Sequence, residues 1–466
     1  MHRLRQWALP GALLIVVAGC NSDRLTIPNY NSPTADAFAG DPAAVQLLVS
    51  GLQSGQRSFH AGMVSDFGIF GRESYNYFPT DGRTQSNYLI GIPGPQRLER
   101  AGFASGNWFG PYRDIKNGVT LLATAKAQNL SAEKLAGVTG FVQTMRAYDQ
   151  LLIAMGRDSL GGPVDMPDNF LQPAPFVTRD SMYKFITATL DQGKTSLLAA
   201  GASFPFALSS GFADFNTPAK FLKFNRALKA RVEVYRGSLG CGAACYTAAL
   251  TALGESFVTP VGGVTMLAQL DIGAYHVYSS STGDALNANS FQQQGYKFAH
   301  KSVVTDAQKQ ADGVTLDDRV LRKVVALPAP APAPGGINIP AEYRFTMYPT
   351  NTSPAGIIRN EELILLRAEA NIATGNTSAA LTDINNIRAV SGKLPPIATA
   401  TLDAVMYEKR MSTLFEGLRW VDMRRWNRLS QLPIDKPGQF VAKVMPIPQQ
   451  ECDARAVKPN GCNDGQ

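Results

Sequence analysis

The stretch from Glu361 to Val390 limits the fold more than any other part of this chain. It reads EELILLRAEANIATG, then Asn376, then TSAALTDINNIRAV. Leu363, Leu366, Ala370 and Ala373 recur at helical spacing and form one apolar stripe; Ala380, Ile384 and Ile387 form a second. Gly375 and Asn376 between them supply a turn, so the two stripes face each other as a helical hairpin. Small residues such as Ala370 and Ala380 let the two helices approach closely. The same period runs from Ala132, where Leu135, Val138, Val142, Met145 and Leu152 keep one face. Ser131 with Lys134 marks that helix's start, and Gly161, Gly162 and Pro163 stop it. Helical patterns also cover Met182 to Leu198, Pro218 to Tyr235 and about Leu402 to Leu429. The chain is predicted to be mainly α.

A hairpin of about 34 residues with this small-and-large spacing is the unit of a degenerate tetratricopeptide repeat. Between the helices lie three long stretches rich in Gly, Ser, Asn and aromatics: Ser54 to Trp108, Pro260 to His300 and Leu327 to Pro354. The last opens with LPAPAPAPGG, a Pro/Ala run expected to be extended and semi-rigid. Loops this long in a compact domain are usually functional. A helical scaffold with long irregular ligand-binding loops is the expected architecture.

The N-terminus places that scaffold. Arg3 and Arg5 precede an apolar run from Trp7 to Ala18, the layout of a secretory signal peptide and too short to span a bilayer. Val17, Ala18, Gly19 and Cys20 match the bacterial lipobox, in which the cysteine is acylated and becomes the mature N-terminus. Two or more acyl chains anchor stably. The expected organisation is a signal peptide over 1–19, a lipidated tether over 20–33 and one α-helical domain over 34–466. No other segment is long and apolar enough to cross a membrane, so lipid is the expected anchor. Without Arg3 and Arg5, 42 basic side chains face 37 acidic ones, a small and dispersed excess. The densest basic run, RWVDMRRWNR, contains an acid and has helical spacing, so nucleic acid is not an expected partner. In an oxidising compartment the local pairs Cys241 with Cys245 and Cys452 with Cys462 read as disulfides. Zinc is the rival, but His60, His276 and His300 lie near neither pair.

Catalytic signatures fail on inspection. Glu408 and Glu416 are eight residues apart, about 12 Å along a helix, and Glu416 with Arg419 and Asp422 with Arg425 have the spacing of helical ion pairs. Glycosidase carboxylates instead face each other across a cleft. That cluster reads as an Arg/Glu/Trp network holding the last helix to the repeats. GKT at Gly193 to Thr195 lacks the earlier glycine of a phosphate loop, and no G-x-S-x-G elbow occurs. The three histidines read as separate loop or surface residues rather than metal ligands. No metal and no cofactor is expected.

Aromatics in the long loops suit a ligand instead. Sugars present a C–H face that stacks on rings, and hydroxyls that pair with carboxylates, amides or guanidinium groups. YNYFPTDGRTQSNY supplies Tyr75, Tyr77, Asp81, Arg83, Asn87 and Tyr88; GNWFGPY supplies Trp108; GAYHVYSS supplies Tyr275 and Tyr278; FQQQGY supplies Tyr296. Each could equally be loop packing, and Trp108 could sit at the start of the following helix. Peptides would accept the same groups less selectively.

The chain resembles the SusD/RagB family of outer-membrane nutrient-binding lipoproteins. The resemblance is carried by the lipobox, GFVQTMRAYDQLLIAMGRDSLGGPV, FNRALKARVEVYRG, the DDR of Asp317 to Arg319, EELILLRAEANIATGN with ALTDINNIR, YEKRMSTLFEGLRWVDMRRW and PIPQQE. It implies about four repeat-like helix pairs, a ligand site on the loops and no enzymatic activity. It also implies a place at the cell outer membrane, facing the exterior, where the protein hands an oligosaccharide or peptide to a SusC-type TonB-dependent transporter. The rival readings are a lipid-anchored secreted hydrolase and a repeat scaffold for envelope proteins.

Overall fold

The computed structural model describes residues 41, 43–92, 97–102, 105–167, 172–292, 296–334 and 338–462. The expected signal peptide, Cys20 and the expected tether lie outside the described residues. Among the described residues, ten helices of seven residues or more make the frame: α1 Ala44–Phe70, α2 Phe109–Ala127, α3 Ala132–Arg157, α4 Arg179–Leu198, α5 Pro218–Arg236, α6 Ala243–Gly254, α7 Asn360–Ala373, α8 Thr377–Ile387, α9 Leu402–Ser412 and α10 Arg419–Arg425. Consecutive helices pack as pairs, α1 on α2, α3 on α4, α5 on α6 and α7 on α8, and each pair packs on the next. Four pairs stacked in chain order form the expected tetratricopeptide-like solenoid. No described helix is long and apolar enough to cross a membrane.

Local chemistry sets the helix ends. Ser131 Oγ accepts from Lys134 N to start α3, Thr178 accepts from Ser181 N for α4, and Thr401 accepts from Ala404 N for α9. The α1–α2 crossing depends on Gly55, because a Cβ there would come within 2.3 Å of the Asp114 carboxylate. The expected helix from Leu402 to Leu429 is two helices. Phe415 and Gly417 both adopt positive φ, 56° and 76°, which ends α9 and redirects the chain into α10. The stretch from Ser54, expected to be loop, is helical as far as Phe70, the end of α1.

The remaining irregular stretches contain the sheet. Its strands are β1 Ser74–Asn76, β5 Lys297–Ala299, β6 Val324–Ala331 and β7 Ala341–Phe345, antiparallel in the order β1-β5-β7-β6. Two small ribbons complete the strands: β2 Gly162–Pro163 with β3 Phe176–Val177, and β4 Gly273–His276 with β8 Ala355–Arg359. The Pro/Ala run is extended as expected, forming most of β6. The sheet separates two apolar clusters. Ala299, Val324 and Phe345 face the main core of the solenoid. Tyr75, Tyr77, Phe298, Ile339 and Ala341 pack together as a separate, smaller cluster.

Candidate functional site

Buried arginines join the C-terminal helices to the solenoid. Arg231 of α5 holds Glu362 of α7 through Nε and Nη2, at 2.8 and 2.6 Å. Arg425 of α10 bonds Glu369 of α7 and Asp422, while Lys409 of α9 reaches Asp422 at 3.0 Å. Arg319 pairs with Asp317 and with Glu408 of α9, whose other oxygen takes Arg388 at 2.6 Å. Burial raises Glu361, but Arg359, Lys323 and Arg319 outweigh it and hold the carboxyl at about 2. Asp422 pairs with Arg425 as its spacing predicts. Glu416 does not pair with Arg419: it takes Arg359 at 2.5 Å, and Arg419 donates to the carbonyl of Gly71. Every carboxylate in this set is paired with a guanidinium or ammonium group, although burial still leaves Glu408 raised.

The histidines are neither separate nor on the surface. His60 and His276 are buried with ring centroids 4.4 Å apart, and His276 Nε2 lies 3.3 Å from Tyr148 Oη. Burial lowers His60 to about 4. His300 is also buried and meets Asp435 at 2.8 Å. The loop-and-surface expectation fails because α1, β4 and the segment after β5 all line the core. Among the described residues no cluster of three His, Cys, Asp or Glu could hold a metal. Cys241 is bonded to Cys245, and Cys452 to Cys462.

Five of the ten nominated ligand residues are packed inside. Tyr75 stacks on Tyr77 at 5.2 Å and donates to Asp435, while Tyr77 donates to the Ile339 carbonyl. Tyr88 packs on Phe70 at 5.0 Å, and Tyr278 is buried near Arg57 and Asp284. Trp108 caps α2 from the interior. Its ring meets Tyr112 at 4.9 Å, Phe176 at 5.8 Å and the Arg157 guanidinium at 5.2 Å, and its indole N–H points to Glu451. None of these five presents a ring to solvent, so the loop-packing alternative holds for each. For Tyr75 and Tyr77 the reason is the sheet: β1 pairs edge to edge with β5, and the two rings pack with Phe298, Ile339 and Ala341.

The other five remain accessible in part. Arg83 is exposed and grips Asp81 with Nε and Nη2, at 2.9 and 2.7 Å, which lowers the Asp81 carboxyl to about 2. Asn87 and Tyr275 are half-buried, and the Tyr275 hydroxyl donates to the Asp271 carbonyl. Tyr296 is half-buried and meets Phe78 edge-on at 4.8 Å.

Residues beside the nominated ones complete an accessible edge. Phe78 and Phe291 each keep 40% of their surface exposed, and the Arg344 guanidinium stacks on the Phe291 ring at 4.3 Å. The Tyr77 amide bonds the Tyr296 carbonyl, and the Phe291 amide bonds the Tyr348 carbonyl. Phe298 pairs with Arg344, so β5 begins where β7 ends. Phe78, Tyr296, Phe291 and Arg344 therefore gather at one end of the sheet. Sequence reasoning stopped one position short, at Tyr77 and not Phe78. The signal was the alternation of a strand, since Tyr75 and Tyr77 share the side that packs with Phe298.

Residues 342–460 match the model of the SusD family. No curated protein sequence matches the chain. Surface glycan-binding protein A from Bacteroides thetaiotaomicron, solved in complex with laminarihexaose, is similar at 14% identity and a TM-score of 0.66, covering 90% of this chain and 99% of that one. Surface glycan-binding protein A from Bacteroides uniformis gives 15% and 0.67 over 90% and 99%. A SusD superfamily protein from Bacteroides vulgatus gives 14% and 0.65 over 91% and 100%. Residues 342–460 thus carry the sequence signature of the SusD family, and the fold is similar to that of SusD superfamily proteins over about 90% of the chain.

Proposed function

We propose that this protein is a lipid-anchored, non-enzymatic binding protein of the cell outer membrane. It captures an oligosaccharide on the Phe78–Tyr296–Phe291–Arg344 edge and passes it to a SusC-type TonB-dependent transporter. The observation that carries this reading is the edge itself: two aromatic rings exposed to solvent, one of them stacked by a guanidinium. Rings accept the C–H face of a sugar, and Arg344 and the Asp81–Arg83 pair offer hydroxyl partners. The lipobox at Val17 to Cys20 supplies the anchor. The similar protein solved with laminarihexaose makes a β-glucan hexamer the first ligand to try.

The test is calorimetric titration of the purified mature domain with laminarihexaose, a set of other hexasaccharides and a peptide digest. A saturating glycan is expected to raise the melting temperature by mass action. Phe291→Ala with Phe78→Ala should weaken its binding by roughly 10- to 100-fold, as expected when one or two ring contacts are lost. Undiminished binding in the folded double variant would remove the edge as the site. Binding of peptides alone would replace the glycan.

A further inference from the structure

The ends of α4 and α5 carry a second feature. A groove of about 420 Å³ is lined by Arg179, Lys184 and Arg236, with Tyr183, Leu239 and Cys241. Within the lining, three cations stand beside one carboxylate, Asp180, and Arg179 also pairs with Asp158 behind the wall at 3.1 Å. Lys184 and Asp180 form an exposed i,i+4 pair at 2.8 Å, a weak surface contact from which Lys184 is readily recruited. Arg236 pairs with Glu233 through Nη1, and its buried Nε has no hydrogen-bond partner among the described residues.

The disulfide at this groove is unlike the one near the C-terminus. Cys241 is exposed at the groove wall, whereas its partner Cys245 is buried. Cys245 is the third residue of α6, a helix of 12 residues, where the amides of the first turn stabilise a thiolate. The joint that the bond ties contains Gly240 and Gly242, at φ 118° and 67°, with open space around both. By contrast, Cys452 and Cys462 are both buried, packed with Ile447 and against Leu160 and Phe176.

We propose that the Cys241–Cys245 bond is a site of thiol–disulfide exchange, attacked at Cys241 by a small carboxylate-bearing thiol seated in the cationic groove. The thiol gives its proton to solvent, and its thiolate attacks Cys241 Sγ. The disulfide bond breaks, its electron pair leaves on Cys245 Sγ, and a mixed disulfide forms at Cys241. A second thiolate attacks the small-molecule sulfur of that mixed disulfide. It releases the oxidised thiol as its own disulfide, and Cys241 leaves as a thiolate. Both protein thiolates then take protons from solvent. Two equivalents of thiol are oxidised and one protein disulfide is reduced. The better leaving group is the thiolate of lower pKa, which is why the helix start at Cys245 matters. Reduction unties the α5–α6 joint at the glycines that let it turn.

The experiment exposes the folded mature domain to rising glutathione, traps free thiols with iodoacetamide and identifies them by peptide mass spectrometry. Cysteamine, a cationic thiol, is run in parallel, and each rate is divided by that reagent's rate on a short unstructured peptide disulfide. Cys241 and Cys245 are expected to be alkylated at about tenfold lower glutathione than Cys452 and Cys462. The normalised glutathione rate should exceed that of cysteamine, and Lys184→Gln, at an exposed position, should shrink that advantage while melting like the parent. Alkylation of all four cysteines together would overturn the proposal. So would equal normalised rates for the two thiols.

Discussion

Arg319 offers a quantitative test of how the C-terminal helices are held. Its guanidinium is fully buried. It donates Nε to Asp317 Oδ1 at 2.9 Å and Nη2 to Asp317 Oδ2 at 2.6 Å, and it meets Glu408 at 2.7 Å and Ser412 Oγ at 3.1 Å. Arg319→Met keeps most of the side-chain volume and removes every one of those bonds. Asp317 retains Tyr407 Oη at 2.9 Å, and Glu408 retains Arg388. Removing one partner of a buried ion pair costs about 3–5 kcal/mol, because the other is left desolvated. With an unfolding entropy near 2 cal/mol/K per residue, that corresponds to a fall of about 3–6 °C in a chain this long. The deficit should depend on pH in a definite direction. Burial already raises Glu408, and Arg319 leads the groups that oppose the rise. Without Arg319 its folded-state pKa climbs further. A carboxyl raised in the folded state contributes stability below its ordinary pKa and loses it as pH rises. The variant should therefore lie closest to the parent at pH 4–5 and furthest at pH 7–8. Thermal and urea denaturation across that range measure it. The control is Arg322→Met, which removes a part-exposed i,i+4 pair with Asp318 and should cost no more than about 1 kcal/mol. If Arg319→Met costs no more than the control, or costs the same at every pH, the network does not hold the helices as described.

Two further outcomes follow from buried groups. Trp108→Ala should destabilise by about 3–5 kcal/mol through the cavity it opens, and the folded variant should bind glycan like the parent; lost binding at equal folding would return Trp108 to the site. Glu73 is buried, and burial pushes its carboxyl up to about 7 against the pull of Arg419. Its folded-state pKa lies above the ordinary carboxylate value, so the stability it contributes is complete at low pH and is lost as pH rises through 7. Glu73→Gln mimics the protonated form and should raise the unfolding free energy at pH 8 by up to about 3 kcal/mol and leave it unchanged at pH 4. A melting curve unaffected at pH 8 would refute the assignment.

The helices that could be read from the sequence are those whose apolar residues keep a regular step and whose ends carry a local signal. The run from Leu135 to Leu152 with Ser131 before it is one case, and the Glu361 to Val390 hairpin is another. The first helix was hidden because its buried face includes Gln53, Gln56, Arg57, His60 and Gly68, which read as loop. Those residues are interior only because α2 and β4 come to cover them. The proposed binding edge was half legible. Composition located the aromatic stretches, yet the choice between Tyr77 inside and Phe78 outside is made by β5, which arrives from a distant part of the chain. Strand pairing over such distances leaves no trace in the local pattern.

The sheet gives this protein a division of labour. Because Tyr75, Tyr77 and Phe298 form their own cluster on its outer side, changes to Phe78, Phe291 or Arg344 are cushioned before they reach the solenoid. A lineage can thus vary that exposed edge as a thin veneer, while the part that carries the fold stays nearly constant. Large sequence divergence between proteins sharing this frame is what such insulation permits.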